Sequence, residues 1–194
     1  MRQPATTVPP LRFSHIGFFV RDIDRQAAFY KEVLGFTETD RGTLPTPRGE
    51  AQLVFLSRDP DEHHQIVLVS GRPSEQHFNL INQISLKAAS LEGLQALHRD
   101  LQGRRVDELA AVTHGNAVSI YFRDPEGNRI ELYVDTPWYV SQPCRVEVPI
   151  GLPPDELLTW IEAHARRLDG FRPRAQWRAE MEARMGRASS GTAA

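Results

Sequence analysis

The sequence predicts an α+β fold of two paired βαβββ modules followed by a C-terminal helical tail. Three observations carry this prediction. The order strand, helix, strand, strand, strand runs through residues 11–70 and returns in residues 80–135. The two opening strands align at one offset, His15 against Gln83, or 83 − 15 = 68 positions. The second module closes with a clear hairpin signal, VSIYFRDPEGNRIELYVD at 118–135. A repeated supersecondary unit does not usually bury its apolar face alone, so the two modules are expected to pack together around one concave side.

Residues 1–10, with three prolines, read as a flexible arm. In LRFSHIGFFV (11–20), Ile16, Phe18 and Val20 form an apolar face, with His15 and Gly17 on the other. Asp22 is placed to cap a helix in which Ile23, Ala27, Tyr30 and Leu34 recur at helical spacing, and Gly35 stops it. A short strand is expected at 36–40 and a loop at 41–50, where two prolines and two glycines gather. Strands AQLVFLS (51–57) and HHQIVLVS (63–70) complete the first module, and 71–79 is a linker.

The second module opens with LINQISLKA (80–88). Ser90 caps a helix carrying Leu91, Leu94, Leu97 and Leu101, and a short strand follows around 106–112. In the closing hairpin Val118, Ile120 and Phe122 alternate with polar residues, as do Ile130, Leu132 and Val134. Asp124-Pro125-Glu126-Gly127-Asn128 supplies the turn. The extension 136–194 is expected to be helical and then disordered, with Leu157, Trp160, Ile161 and Ala165 facing inward. It reads as cover for a sheet edge or a dimer contact.

Composition narrows the class. The chain has 194 residues, 40% hydrophobic and 25% charged, with net charge −2. No strong field points to nucleic acid or membrane. No run of about 18 apolar residues exists to span a bilayer, and MRQPATTVPPLRF (1–13) contains no secretory signal. The single Cys144 cannot form an internal disulfide framework and fits a reducing compartment. A cytoplasmic globular protein is therefore expected. Neither a phosphate loop nor a dinucleotide fingerprint is present, and Cys144 has no local catalytic signature.

The chemistry-bearing residues lie on the strand faces turned away from the helices. His15, Gln83 and Glu131 converge there if both modules form one curved sheet. An imidazole, a carboxamide and a carboxylate can hold a divalent metal and leave positions open for substrate. Each also has a plainer reading: a hydrogen-bonded strand histidine, a surface glutamine, a carboxylate on a wet face. Of His63 and His64 at most one faces the site, and strict alternation from Val67 selects His63. His114, beside Gly115 and Asn116, either reaches a ligand from its loop or is solvated. Tyr121 is a cross-strand neighbour of Glu131 and either steadies a substrate oxygen or simply packs.

Three stretches, SHIGFFVRD (14–22), FYKEVLGF (29–36) and FRDPEGNRIELYVD (122–135), resemble the vicinal oxygen chelate superfamily, which includes glyoxalase I, extradiol dioxygenases and bleomycin-resistance proteins. The resemblance implies paired βαβββ modules forming a curved mixed sheet, a cup around a divalent metal. HHQIVLVSG (63–71) and VSIY (118–121) are similar to small one-domain dioxygenases of the biphenyl-2,3-diol type. By position, the likeness implies His15 and Glu131 as metal ligands, His64 as a proton-transfer histidine and Tyr121 as a substrate-oxygen contact. Gln83 stands where that family has its third ligand, a histidine, and Val67 stands at the fourth position used by glyoxalase I. His114 supplies the missing imidazole only if its loop folds inward. The implied cofactor is Fe(II), with Mn(II) or Zn(II) as alternatives. The implied partners are a catecholic substrate and O₂, and a homodimer is expected. Two other readings remain: a metal-dependent isomerase or lyase of the glyoxalase type, and a metal-free small-molecule binding protein.

Overall fold

The computed structural model describes residues 12–47, 49–75 and 79–185. The expected arm (1–10) and the terminal ASSGTAA (188–194) lie outside the described residues. The chain divides into two compact units, Met1–Asn79 and Leu80–Ala194. The fold is mixed α+β, and each unit contains the expected βαβββ order.

The first unit runs β1 (Ile16–Val20), α1 (Ile23–Glu32), β2 (Thr37–Thr46), β3 (Gly49–Ser57) and β4 (Ile66–Ser70). Its sheet has the order β1-β4-β3-β2, with β1 and β4 parallel and the other pairs antiparallel. Asp22 caps α1 by accepting a bond from the Arg25 N–H at 3.0 Å. Gly35, at φ 67°, turns the chain out of the helix. The stripe Ile23, Ala27, Tyr30 and Leu34 is buried together with Val54, Leu56 and Leu68 of the sheet.

Three expectations for this unit are corrected. Residues 41–46 and 49–50, expected in a loop, belong to a long β2–β3 hairpin. The strand expected from His63 begins only at Ile66, leaving His63 and His64 in the segment before β4. His15 likewise stands one residue before β1.

The second unit runs β5 (Ile84–Lys87), α2 (Leu91–Arg104), β6 (Ala110–Thr113), β7 (Ala117–Arg123) and β8 (Arg129–Asp135). Ser90 caps α2 through the Gly93 N–H at 3.1 Å. The tail adds β9 (Trp138–Tyr139), β10 (Val146–Glu147), α3 (Pro154–Ala165), β11 (Arg172–Pro173) and α4 (Arg174–Arg184). The sheet order is β10-β6-β7-β8-β5, again with the module's first and last strands parallel. β10 pairs with the outer edge of β6, so the tail does cover a sheet edge. On α3, Leu157, Ile161 and Ala165 are buried as expected, but Trp160 is 38% exposed and stacks on His164 instead.

Candidate active site

Glu131 occupies the middle of β8, between Ser85 of β5 on one side and Tyr121 of β7 on the other. Alternation puts it opposite the buried Ile130 and Leu132, yet it is itself only 7% exposed. Its Oε2 accepts bonds from Gln83 Nε2 at 2.8 Å and Ser85 Oγ at 2.5 Å. Its Oε1 accepts the Tyr121 hydroxyl at 2.5 Å. All three donors are neutral. A carboxylate this buried ordinarily has a cation beside it. Among the described residues no Lys or Arg forms an ion pair with Glu131, and the His114 Nε2 is 3.9 Å from its Oε1. The Glu131 carboxylate and the Gln83 carboxamide are hard oxygen donors, suited to a divalent metal once Gln83 turns its oxygen inward.

Tyr121 is held from two sides. Burial pushes its phenol well above the usual range, and the bond to Glu131 pushes it further, so it remains a proton donor. His114 Nε2 lies 2.9 Å from the phenol oxygen, while its Nδ1 donates to the Cys144 carbonyl at 2.6 Å. The His114 loop therefore does fold inward, but onto Tyr121. Sequence spacing gave His114 no definite role. The available signal was Gly115, whose φ of 75° makes the turn and whose missing Cβ would lie 2.3 Å from Val140 Cγ2. Cys144 contributes a carbonyl here; burial raises its thiol pKa, in keeping with the absence of a thiol nucleophile signature.

The first unit has a histidine cluster of its own. The His15 and His64 rings lie 4.3 Å apart, and both His63 and His64 pack on Phe55, at 5.6 and 5.2 Å. Strand parity favoured His63, but it does not apply, because both residues precede the strand. His64 is the one that packs on His15. Burial lowers its pKa, with the neighbouring His15 and His63 adding to the shift, so it is neutral at physiological pH. Among the described residues no cluster of three or more His, Cys, Asp or Glu side chains forms a metal cage.

Two of the cavities among the described residues open in the second unit. One, of about 220 Å³, is lined by Glu131, Tyr133, Asp135, Tyr139, Arg174 and Trp177. Tyr139 and Trp177 stack with centroids 5.3 Å apart, and Arg174 pairs with Asp135 at 2.7 Å. The other, of about 480 Å³, is lined by Gln83, His114, Tyr121, Arg129 and Arg145 among others. Among the described residues no helix is long and apolar enough to cross a membrane.

A family model described as the glyoxalase/bleomycin resistance protein/dioxygenase superfamily matches residues 12–132. A probable lactoylglutathione lyase of Synechocystis sp. is 26% identical over 121 residues, covering 61% of this chain and 91% of its own. Catechol-2,3-dioxygenase of Bacillus subtilis is 32% identical over 133 residues, covering 64% of this chain and 42% of its own. This chain thus spans less than half the length of that dioxygenase. The solved glyoxylase/bleomycin resistance protein/dioxygenase domain from Frankia sp. EAN1pec shares the fold, with TM-score 0.53, 21% identity and coverage of 65% and 98%. Relatives of both lyase and dioxygenase type support a metal-dependent function of the vicinal oxygen chelate kind without choosing between them. With the family model matched from Arg12 to Leu132, across both βαβββ modules, the chain belongs to the glyoxalase/bleomycin resistance protein/dioxygenase superfamily.

Proposed function

We propose that the protein is an extradiol-type dioxygenase acting on catecholic aromatic substrates. The observation that carries this reading is Glu131, a buried carboxylate surrounded by neutral donors and without a Lys or Arg partner. Glu131 and Gln83 would hold the metal in the second unit, and His15 is assigned as the remaining ligand from its sequence position. A divalent ion, Fe(II) in first place and Mn(II) or Zn(II) as alternatives, supplies Lewis-acid chemistry and a template for two vicinal oxygens when bound. Tyr121, kept protonated by burial, has a single O–H, which goes to Glu131 in this structure and would turn to a substrate oxygen when one is bound. His64, kept neutral, accepts a proton from the diol. Tyr139 and Trp177 offer flat apolar surface to an aromatic ring.

A glyoxalase-type lyase is the second reading, favoured by the 91% coverage of the probable lactoylglutathione lyase. The test is anaerobic loading with Fe(II), followed by metal analysis and oxygen uptake with a catechol. Near-stoichiometric iron is expected in the wild type, with a loss of at least about a hundredfold in affinity in Glu131→Ala. Iron retained by that variant would overturn the assigned site. Metal binding without oxygen uptake would move the reading to the lyase. No specific metal at all would leave a metal-free binding protein.

A further inference from the structure

The proposed reaction uses His15 and His64 and leaves His63 without a task. His63 stands exposed at the end of the acidic stretch RDPDE (58–62), and its Nδ1 lies 2.9 Å from the Nδ1 of His64. Ring nitrogens this close share one hydrogen, because one must donate it and the other accept it. A metal ion in its place takes a lone pair from each. Imidazole–metal bonds are about 2.0–2.1 Å long, so nitrogens 2.9 Å apart subtend roughly 90° at the ion. A tetrahedral ion needs them roughly 3.3 Å apart at the same bond length. The pair therefore suits tetragonal, nitrogen-preferring Cu(II) or Ni(II) better than Zn(II). Both rings pack edge-on against Phe55, which holds them at this mutual position. Asp59, Asp61 and Glu62, immediately upstream, favour a cation there. Of the nearby arginines, Arg12 pairs with Glu62 at 2.5 Å and Arg58 donates to the Leu34 carbonyl. Among the described residues no third His, Cys, Asp or Glu completes the set, so water fills the remaining positions.

We infer that His63 and His64 form a two-imidazole chelate for a tetragonal divalent ion, sharing no ligand with the Glu131 site, and that its occupancy inhibits the reaction. A neutral imidazole has one lone pair. An ion on His64 Nδ1 takes that pair and leaves the ring's hydrogen on Nε2, so His64 can no longer accept a proton from substrate. The chelate needs only the two rings, whereas the inhibition rests on the role proposed for His64.

The test starts from the full chain carrying Glu131→Ala, which disables the other metal site. Ni(II) is titrated into it calorimetrically, alone and with His63→Ala or His64→Ala added. Circular dichroism checks that each variant is folded, as expected for His63→Ala because that side chain is exposed. Paramagnetic resonance of bound Cu(II) counts the nitrogens around the ion. Splitting from two nitrogens is expected, and either added substitution should weaken Ni(II) binding at least about tenfold, since losing a ligand costs no less than losing its supporting partner. Binding that survives His63→Ala, or no binding at all, overturns the chelate. Oxygen uptake with a catechol is then followed in Fe(II)-loaded wild type and His63→Ala as Ni(II) is raised; Ni(II), unlike Cu(II), does not itself oxidise a catechol. The two proteins should turn over alike without Ni(II), and His63→Ala should need at least about tenfold more of it for half inhibition. Equal sensitivity overturns the inhibition. His63-dependent Ni(II) binding in a protein that takes up no oxygen keeps the chelate and sinks the dioxygenase reading. Oxygen uptake without His63-dependent Ni(II) binding does the reverse.

Discussion

The two modules share one topology and differ at equivalent positions along one row of side chains. In the first, Val67 of β4 stands between Gly17 of β1 and Phe55 of β3. In the second, Glu131 of β8 stands between Ser85 of β5 and Tyr121 of β7. Position for position, an apolar row in the first unit corresponds to a polar one in the second. The helix caps keep the same spacing, Asp22 and Ser90 at 90 − 22 = 68. The fold therefore does not require the carboxylate. The strand pairing is the same without it, and the chemistry is carried by a few side chains set on a scaffold indifferent to them.

That comparison can be broken by writing the second row into the first. Val67 is 8% exposed and has no donors on either side within its row. Val67→Glu should cost about 3 kcal/mol or more, since a buried carboxylate without partners is strongly unfavourable. Adding Gly17→Ser and Phe55→Tyr should restore about 1 kcal/mol for each hydrogen bond made. A Cβ at Gly17 would sit 3.7 Å from Val67 Cβ, an ordinary contact, so the serine itself fits. Urea denaturation of the single and triple variants measures both effects. A single variant as stable as the wild type would mean that a lone carboxylate is tolerated in this row, and the donors around Glu131 would lose their significance.

The helices provide a second contrast at the same offset. Ala27 of α1, 1% exposed, corresponds to Gln95 of α2 at 95 − 27 = 68. Gln95 Nε2 donates to the Ile150 carbonyl at 2.8 Å and to the Leu152 carbonyl at 2.7 Å, tying α2 to the tail. Gln95→Leu keeps the volume but deprives two carbonyls of their donor, and should cost about 2 kcal/mol. Thermal and urea unfolding check it. A loss below about 0.5 kcal/mol would show that the tail is held by α3's apolar face alone.

Much of this was legible because the repeat is written in local signals. Caps, helical stripes and alternating strands at one offset describe each module without reference to the other. The β2–β3 hairpin was not legible. Pro45 and Gly42 read as loop residues, but β2 is an edge strand, where a missing N–H does no harm, and its mostly exposed face gives no alternation. The two-residue strands β9, β10 and β11 are too short to leave a period. In the site, Glu131 and Tyr121 announced themselves as cross-strand neighbours 131 − 121 = 10 residues apart. His114 did not, because a turn sets its direction and a turn has no periodicity. Arg129 and Arg145 each come to the Tyr121 ring only through tertiary structure.

The smallest effect sharpens the contrast between the helices through pH. Where α2 is tied by a neutral carboxamide, α1 is tied to β2 by charge. Glu38 pairs with Lys31 at 2.8 Å and with Arg41 at 2.7 Å, and Arg41 reaches Asp24 at 2.5 Å. Hydrogen bonds from Arg41 first, then Lys31, hold the Glu38 carboxyl down from 4.5 to about 2. Lys31 and Arg41 are each 39% exposed, so solvent screening limits the network to about 0.5–1 kcal/mol. Because the folded value is depressed, the stabilisation is complete above about pH 4.5 and fades as pH falls towards 2. Glu38→Gln should therefore be less stable than the wild type by that amount at pH 7, and the gap should close in acid and in high salt. The gap for Gln95→Leu should keep its size across the same range, since no proton is exchanged. If the Glu38→Gln gap were also constant with pH, α1 would be held by shape and burial alone, and the two helices would differ only in which residue they bury at the shared position.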